Sequence, residues 1–218
     1  MPELFSDQVR ARFGRGAPAY AGGSKLQQAV AWRLVRAIQP LPIPEGPCAD
    51  LGAGSGAVSL AAAQLRPELL RRAPLQLDLS AALLARNPLS SSQLLWNLNR
   101  GLPAQLEQAA LLTSSFALQW LEDPPGQLHQ WCRSLRPGGV LALALPTDGS
   151  FSQWRQAAAG SGVPCTALPL PAADTLITTA SRQLRLLQGR RLWFSRPARG
   201  LTLLREMRAI GADATPCS

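Results

Sequence analysis

The sequence predicts an α/β fold in which a parallel sheet carries helices on both faces. Two observations predict it. Between residues 48 and 145, short strand-like apolar runs alternate with helical stretches rich in Ala and Leu, as in a sheet wound by crossover helices. The first run, Cys48–Leu51, ends in the glycine-rich loop Gly52-Ala53-Gly54-Ser55-Gly56 and opens a helix. Such loops let backbone amides approach a ligand closely, because glycine has no side chain to obstruct it.

The elements follow in order. Ser24 is placed to cap a helix running to about Ile38, with Leu26, Val30 and Leu34 on one face. The Pro-rich link PLPIPEGP, residues 40–47, closes this N-terminal segment. A strand over 48–51 leads to a helix over 57–65. Residues 74–79 alternate as a strand does, and Ser80 opens the next helix. Further strands are expected at 94–96, 111–114 and 140–145. Leu128, Trp131 and Leu135 form a helical stripe that is expected to stop at Arg136-Pro137-Gly138-Gly139. Beyond Pro146 the pattern predicts a helix near 151–159, a strand near 183–194 and a helix near 201–209. The division expected is a helical cap over 1–45, a core over 46–150 and a lid with an edge strand over 151–218, all in one domain.

Composition bounds the class. With 218 residues, 46% of them hydrophobic and 16% charged, the chain has apolar matter for a core and is not a charged, disordered tail. Its longest apolar stretches, such as residues 140–145, are too short to cross a bilayer. The N-terminus lacks the basic-then-apolar layout of a signal peptide. A soluble, cytoplasmic protein is expected. Cys48, Cys132, Cys165 and Cys217 are widely spaced and form no C-x-x-C pair, and His129 is the single histidine. That spacing suits free, mostly buried thiols rather than structural zinc.

The net charge of +9 comes from 21 Arg and one Lys against 13 acids. Residues 1–40 carry a net +4 and residues 151–218 a net +6, with −1 between them. An anionic partner should therefore meet the ends of the chain. The same charges also suit a solvated face without a partner.

The loop carries the chemistry. Gly52, Gly54 and Ala57 satisfy G-x-G-x-x-A, the dinucleotide spacing. Asp50, however, lies two residues before the first glycine, where a carboxylate attracts an ammonium group and repels a pyrophosphate. Asp78 ends the next strand-like run, where a carboxylate accepts both hydroxyls of a ribose; its other reading is an acid beside Ser80 at a helix N-terminus. An adenosine bearing an amino acid suits both carboxylates, which points to S-adenosylmethionine. Phe13 and Tyr20, seven apart, share a face if helical and either cover a cofactor or simply pack.

The Asp50–Gly56 loop, Asp78 and the Leu135–Gly139 turn resemble those of class I methyltransferases. Over nearly the whole chain the resemblance narrows to the malonyl-acyl carrier protein O-methyltransferases of biotin synthesis. Phe13-Gly14-Arg15-Gly16-Ala17-Pro18-Ala19-Tyr20, followed by Leu26-Gln27-Gln28, resembles that family's F-x-x-x-A-x-x-Y signature. Ser114-Ser115-Phe116-Ala117-Leu118-Gln119-Trp120 resembles its S-N-x-A-[LV]-Q-W stretch. Gly149-Ser150-Phe151 with Trp154, the run Leu192-Trp193-Phe194, and residues 204–212 ending Ile210-Gly211-Ala212 resemble its lid. The resemblance implies a Rossmann-like sheet with a small helical lid. It implies cofactor contacts from Tyr20, Gln28, Asp50, Gly52, Ala53, Gly54, Gly56, Asp78, Leu79, Ser114 and Phe116. It also implies substrate positioning by Arg205 or Arg208, of which Arg205 is expected to face inward because Leu201 and Leu204 are close by.

The chain departs from that family at three places. The acid usual near the adenine is replaced in the stretch Asn97-Leu98-Asn99-Arg100, and Ser115 replaces an Asn. The chain also stops at Ser218, where the family continues into a further strand, so an open sheet edge is expected.

The reaction implied moves a sulfonium methyl to the free carboxylate of a malonyl thioester on acyl carrier protein or coenzyme A. A carboxylate is already an anionic nucleophile, so no general base is needed, in keeping with one histidine and no evident catalytic dyad. Acyl carrier proteins are acidic, which suits the basic ends. Charge also suggests a nucleic-acid methyltransferase, but no (N/D)-P-P-(Y/F) motif or Pro-Cys pair stands where SSFALQW does. A degenerate cofactor-binding protein without activity is the non-enzymatic alternative.

Overall fold

The structure, a computed structural model, describes residues 5–89, 92–195 and 199–215. Two helices come first, α1 (Phe5–Gly23) and α2 (Lys25–Ile38), parted by the single residue Ser24. Strand β1 (Cys48–Leu51), helices α3 (Ala57–Leu65) and α4 (Pro67–Leu70), strand β2 (Leu75–Asp78), helix α5 (Ala81–Leu84) and strand β3 (Gln93–Leu95) follow. Strand β4 (Ala109–Ser115), helix α6 (Pro124–Arg133) and strand β5 (Leu135–Ala144) complete the sheet. Helices α7 (Ser152–Gly160), α8 (Ala173–Ser181) and α9 (Gly200–Ala209) come last, and single 3-10 turns lie at Leu98–Arg100, Ala104–Leu106 and Leu118–Trp120.

The sheet runs β3-β2-β1-β4-β5, and all four pairings are parallel. It is Rossmann-like, with helices on both faces. Alternation along the strands sorts the core into two layers. Ala49, Leu51 and Leu112 join Leu77, Leu128, Trp131 and Leu176 on the α6–α8 side. Cys48 and Leu111 join Val35, Ile38, Val58 and Ala62 on the α2–α3 side. The order steps from β1 outward in both directions, and a ligand crevice belongs at the strand C-termini beside that switch.

Local chemistry fixes several ends. Asp123 caps α6, its Oδ1 accepting from the Gly126 amide at 3.0 Å, and the Ser80 Oγ accepts from the Leu83 amide at 3.3 Å. Arg66 donates to the carbonyls of Ile38, Gln39 and Leu41 at 2.8 to 3.1 Å. It thereby satisfies the C-terminal carbonyls of α2. Ser24 makes no capping bond of its own; its Oγ accepts weakly from Gln28 at 3.4 Å. In α2 the buried face is Val30, Leu34 and Ile38, while Leu26 is exposed.

Three expectations need correction. The stretch Arg136-Pro137-Gly138-Gly139 does not end a helix: α6 stops at Arg133, and Leu135 already pairs with Ala109. The register shift between Ala109 and Leu111 takes up the extra residues as a bulge, with Gly138 at φ +77°. Residues 183–194 form no strand among the described residues. Leu184 packs on the α6-side core instead and Trp193 lies over Gly149, so this run leaves the β5 edge unextended. Helix α8, whose Leu176 is buried against that core, was not anticipated.

Helix α1 lies across the molecule as a cover. Its buried Gly16 lets the backbone of Ile210 and Gly211 approach so closely that any side chain there would collide with it. Arg12 and Asp213 pair beside this contact at 3.0 Å. Helix α9 therefore holds α1 from outside. Cys48 and Cys132 are buried free thiols and Cys165 is an exposed one, while Cys217 lies outside the described residues.

Candidate functional site

A cleft of about 670 Å³, counted to its open mouth, lies at the C-terminal ends of the strands beneath α1. Its floor comes from Gly52 and Gly54 after β1, from Asp78 to Ser80 after β2, and from Trp96 to Asn99 after β3. Ser115 ends β4, Phe116, Ala117 and Trp120 follow it, and Ser6, Val9, Arg10, Phe13 and Tyr20 of α1 close the cleft from above. Phe13 meets Trp120 edge-on at 5.3 Å between ring centroids and Tyr20 at 6.1 Å. Each such pair adds about 0.5–1.5 kcal/mol beyond burial, so the aromatic roof is anchored at both ends.

The glycine loop is held by β2. The amides of Gly52 and Ala53 both donate to the Leu77 carbonyl at 2.8 Å. Gly52 also abuts Ala117, so a side chain there would overlap the Ala117 methyl. Gly54 differs: it lies at φ +53°, and a Cβ would find nothing nearer than 3.9 Å. A side chain at Gly54 would enter the cleft rather than the protein.

Asp78 is held by backbone amides. Its Oδ2 accepts from Gly54 at 2.8 Å and its Oδ1 from Ser80 at 2.7 Å. Burial raises its pKa, and the amides of Ser80, Gly54 and Leu79 oppose the rise. Each carboxylate oxygen keeps an acceptor site after these bonds. Burial, and then the neighbouring Asp78, raise the pKa of Tyr20, so its hydroxyl stays protonated.

Of the residues singled out in the sequence, Tyr20, Gly52, Gly54, Asp78, Leu79 and Phe116 line the cleft. Asp50, Gln28, Ala53, Gly56 and Ser114 do not. Asp50 is 3% exposed and faces the α2–α3 side, where its Oδ1 accepts from the Thr113 hydroxyl at 2.9 Å while Oδ2 has no partner among the described residues. Burial, with Asp78 nearby, pushes its pKa up to about 7 against the Thr113 hydrogen bond. Ser114 donates to the Leu51 carbonyl at 2.8 Å. Gly56 begins α3 at φ +85° against Asn87. Gln28 donates to the Ala21 carbonyl at 2.6 Å, which fixes the turn between α1 and α2.

Arg205 and Arg208 are exposed and do not line the cleft. The expected inward side of α9 is reversed, because Leu201 and Leu204 are exposed while Leu203, Glu206 and Met207 are partly buried and Ile210 buried. The arginine at the cleft is Arg10, three residues from Asp7, with which it pairs at 3.0 Å. Nothing in its local sequence separates it from the other arginines. Its spacing of three from Phe13, on one helical face, was the available signal.

Phe116 has φ +57°, a conformation that a non-glycine residue rarely adopts. Its amide donates to the Ala144 carbonyl at 2.8 Å. Strain of this kind gathers at ligand sites, where surrounding structure enforces it. His129, on α6, is outside the cleft lining and lies within 3.2 Å of Gln183. The ionisable side chains lining the cleft are Arg10, Tyr20 and Asp78.

Comparison with known proteins decides the family. Residues 49–143 match the family model described as a methyltransferase domain. A malonyl-[acyl-carrier protein] O-methyltransferase of Methylococcus capsulatus is 30% identical over 215 residues, which are 94% of this chain and 76% of that protein. The chain belongs to the class I S-adenosylmethionine-dependent methyltransferases, in the family related to malonyl-acyl carrier protein O-methyltransferases. A trans-aconitate 2-methyltransferase of Deinococcus radiodurans is 40% identical over 52% of this methyltransferase chain and 44% of its own. Among solved structures, a Thermotoga maritima S-adenosylmethionine-dependent methyltransferase, described as a possible histamine N-methyltransferase, superposes with a TM-score of 0.56. It shares 18% identity over 80% of each chain, which shows the fold alone. The chain spans about half the length of several curated relatives that it matches.

The cleft suits the family's cofactor on its own geometry. The side-chain-free face of Gly54 leaves space beside a carboxylate with acceptor sites to spare, under an aromatic roof.

Proposed function

We propose that this methyltransferase esterifies the free carboxylate of a malonyl thioester carried on acyl carrier protein or coenzyme A, in biotin synthesis. The observation that carries the reading is the cleft's lining. It offers a place for the cofactor, and its ionisable groups are committed: Tyr20 is held protonated, and the Asp78 acceptor sites left open by the Gly54 and Ser80 amides would be taken by the ribose of the cofactor. A carboxylate acceptor needs no proton removed.

In this reading S-adenosylmethionine supplies an activated methyl on its sulfonium. Asp78 accepts the ribose hydroxyls, and Gly52 and Gly54 give the cofactor room along the loop. Leu79 and Asn97 line the cleft where the adenine would be held, and the Asn97 side-chain NH2 could donate to a ring nitrogen, since the Asn97 Oδ1 accepts from the Asn99 amide at 3.0 Å. Phe13, Tyr20, Phe116 and Trp120 exclude water and hold the reacting atoms in line. Arg10 gives an anionic acceptor a counter-charge at the mouth. This role replaces the one expected of Arg205 and Arg208.

A second reading is supported by the 40% identity to a trans-aconitate 2-methyltransferase: the acceptor is then a small free polycarboxylate. Both readings share a carboxylate acceptor. Labelled methyl transfer by the purified chain to malonyl-acyl carrier protein, malonyl-coenzyme A, trans-aconitate and RNA separates them. The proposal expects the malonyl thioesters to lead by at least tenfold. Preference for trans-aconitate supports the second reading, and label in RNA alone overturns both.

A further inference from the structure

The exposed apolar surface is concentrated in one region. Of the fifteen exposed large hydrophobic residues among those described, eleven lie between 151 and 204. Those at the starts of α7 and α9 come together. Trp193, 76% exposed, lies over Gly149 at the start of α7, with its ring 3.5 Å from where a Cβ would stand. The ring of Trp154 comes within 3.8 Å of the same position at Gly200, where α9 begins. Phe151 and Leu201, 43% and 68% exposed, belong to the same two helix starts. Neither α7 nor α9 has a buried residue.

The rim of this face is cationic. Arg199 and Arg205 are exposed on the helix start that carries Leu201, and Arg191, next to Leu192, is exposed and pairs with Asp174 at 3.9 Å, in a segment that carries nine Arg and three acids over residues 151–218. An exposed aromatic patch bordered by an excess of positive charge marks an interaction surface. Its complement is an acidic surface with apolar residues at its centre. A second copy is a poor fit, because a two-fold contact through this face would set its arginines against the same arginines.

We infer that the face formed by the starts of α7 and α9 with residues 192–194 docks an acidic acyl carrier protein. This rests on the reading given under Proposed function and adds the surface by which the carrier engages. Helix α9 also holds α1 through Ile210, Gly211 and the Arg12–Asp213 pair, so the docked element is the one that braces the cover of the cleft.

The test uses the full chain with Trp193→Ser and Arg199→Glu, both exposed and outside the cleft. Binding of the unloaded carrier protein is measured by calorimetry at low and moderate salt, and methyl transfer to malonyl-carrier protein and malonyl-coenzyme A is measured alongside. The expected result is wild-type binding that weakens with salt and a loss of tenfold or more in each variant. Turnover of malonyl-coenzyme A and affinity for S-adenosylhomocysteine should not change. Equal carrier binding by wild type and variants overturns the inference, as does no binding by the wild type. A dimer dissociated by Trp193→Ser, or co-sedimentation with phosphatidylglycerol vesicles that the variants lose, assigns the face to another occupant and overturns it too. Intact carrier binding without methyl transfer by the wild type sinks the reaction and leaves the docking standing.

Discussion

Asp50 and Asp78 end neighbouring strands, yet the fold gives their carboxylates opposite surroundings. Asp78 receives backbone amides on both oxygens, whereas Asp50 receives one hydroxyl and keeps an unpaired buried oxygen. The difference sets two predictions. Gly54→Val fills the open side of the loop and Asp78→Ala removes the acceptor pair. Calorimetry should show each variant losing S-adenosylhomocysteine affinity by at least tenfold, about 1.4 kcal/mol, and Asp78→Ala should also lower the melting temperature, because the Gly54 and Ser80 amides lose their acceptor. The second concerns pH. Folding raises the Asp50 pKa from 3.8 to about 7, so between those values the unfolded chain gives up a proton that the folded chain keeps. Its contribution to stability is therefore fully present below about pH 4, falls as pH rises, and is lost above about pH 7. The loss is on the order of 4 kcal/mol, at 1.36 kcal/mol per unit. Asp50→Asn has no such titration. Urea unfolding of the ligand-free protein should find it gaining on the wild type between pH 4 and pH 8, and an equal difference at both pH values would show that Asp50 is not buried as described.

Helix α6 shows how one element is seated. Trp131 is fully buried between it and the sheet, but its indole N–H has no partner among the described residues. Trp131→Ala should cost about 3–5 kcal/mol by the cavity it leaves. Trp131→Phe removes the unsatisfied donor together with part of the ring, so it should cost less than half as much. Equal losses in thermal denaturation would mean that the N–H is satisfied in solution. A third element-level test is Gly16→Val, which forces α1 away from Ile210 and Gly211. It should lower the melting temperature and weaken S-adenosylhomocysteine binding together, because α1 roofs the cleft.

The same elements show what a reader of the sequence can and cannot see. Strands β1, β2 and β4 were legible because apolar runs meet abrupt polar or glycine ends, and Ser80 and the glycine loop marked the turns between them. Helix α1 was only partly legible: Phe13 and Tyr20 share its face, but Gly14, Gly16, Gly22, Gly23 and Pro18 weaken helix propensity. Packing against Ile210 is the compensating contact, and it comes from the far end of the chain. Of the motif residues, Gly52, Gly54, Asp78, Phe116 and Tyr20 line the cleft. Asp50, Ser114 and Gly56 stand in the same motifs outside its lining, since a carboxylate, hydroxyl or glycine in a motif can face the core as readily as a cleft. The orientation of α9 was misjudged for a related reason, because its Leu201 and Leu204 belong to an exposed apolar face.

At the scale of the whole molecule, charge and apolar surface are divided between regions. Residues 41–150 are close to neutral and form the sheet and cleft floor, whereas the two ends are basic. One end covers the cleft and the other carries the exposed aromatic face, and they meet where α9 braces α1. In this arrangement an anionic acceptor meets Arg10 at the mouth while its carrier meets the basic outer face. Rising salt should therefore raise the Michaelis constant for malonyl-carrier protein more steeply than that for malonyl-coenzyme A, the carrier presenting more charge to the face. Parallel salt dependence for both would place the electrostatic contact at the mouth alone.

The most direct test of the account is to locate the transferred methyl. The purified chain is incubated with S-adenosylmethionine and malonyl-acyl carrier protein, and the product is resolved by mass spectrometry before and after mild alkali. The account predicts one added methyl on the malonyl group, released as methanol by alkali, as an ester on the free carboxylate requires. A carrier protein that stays unmodified while the chain binds the cofactor would contradict it, as would a methyl that alkali does not release.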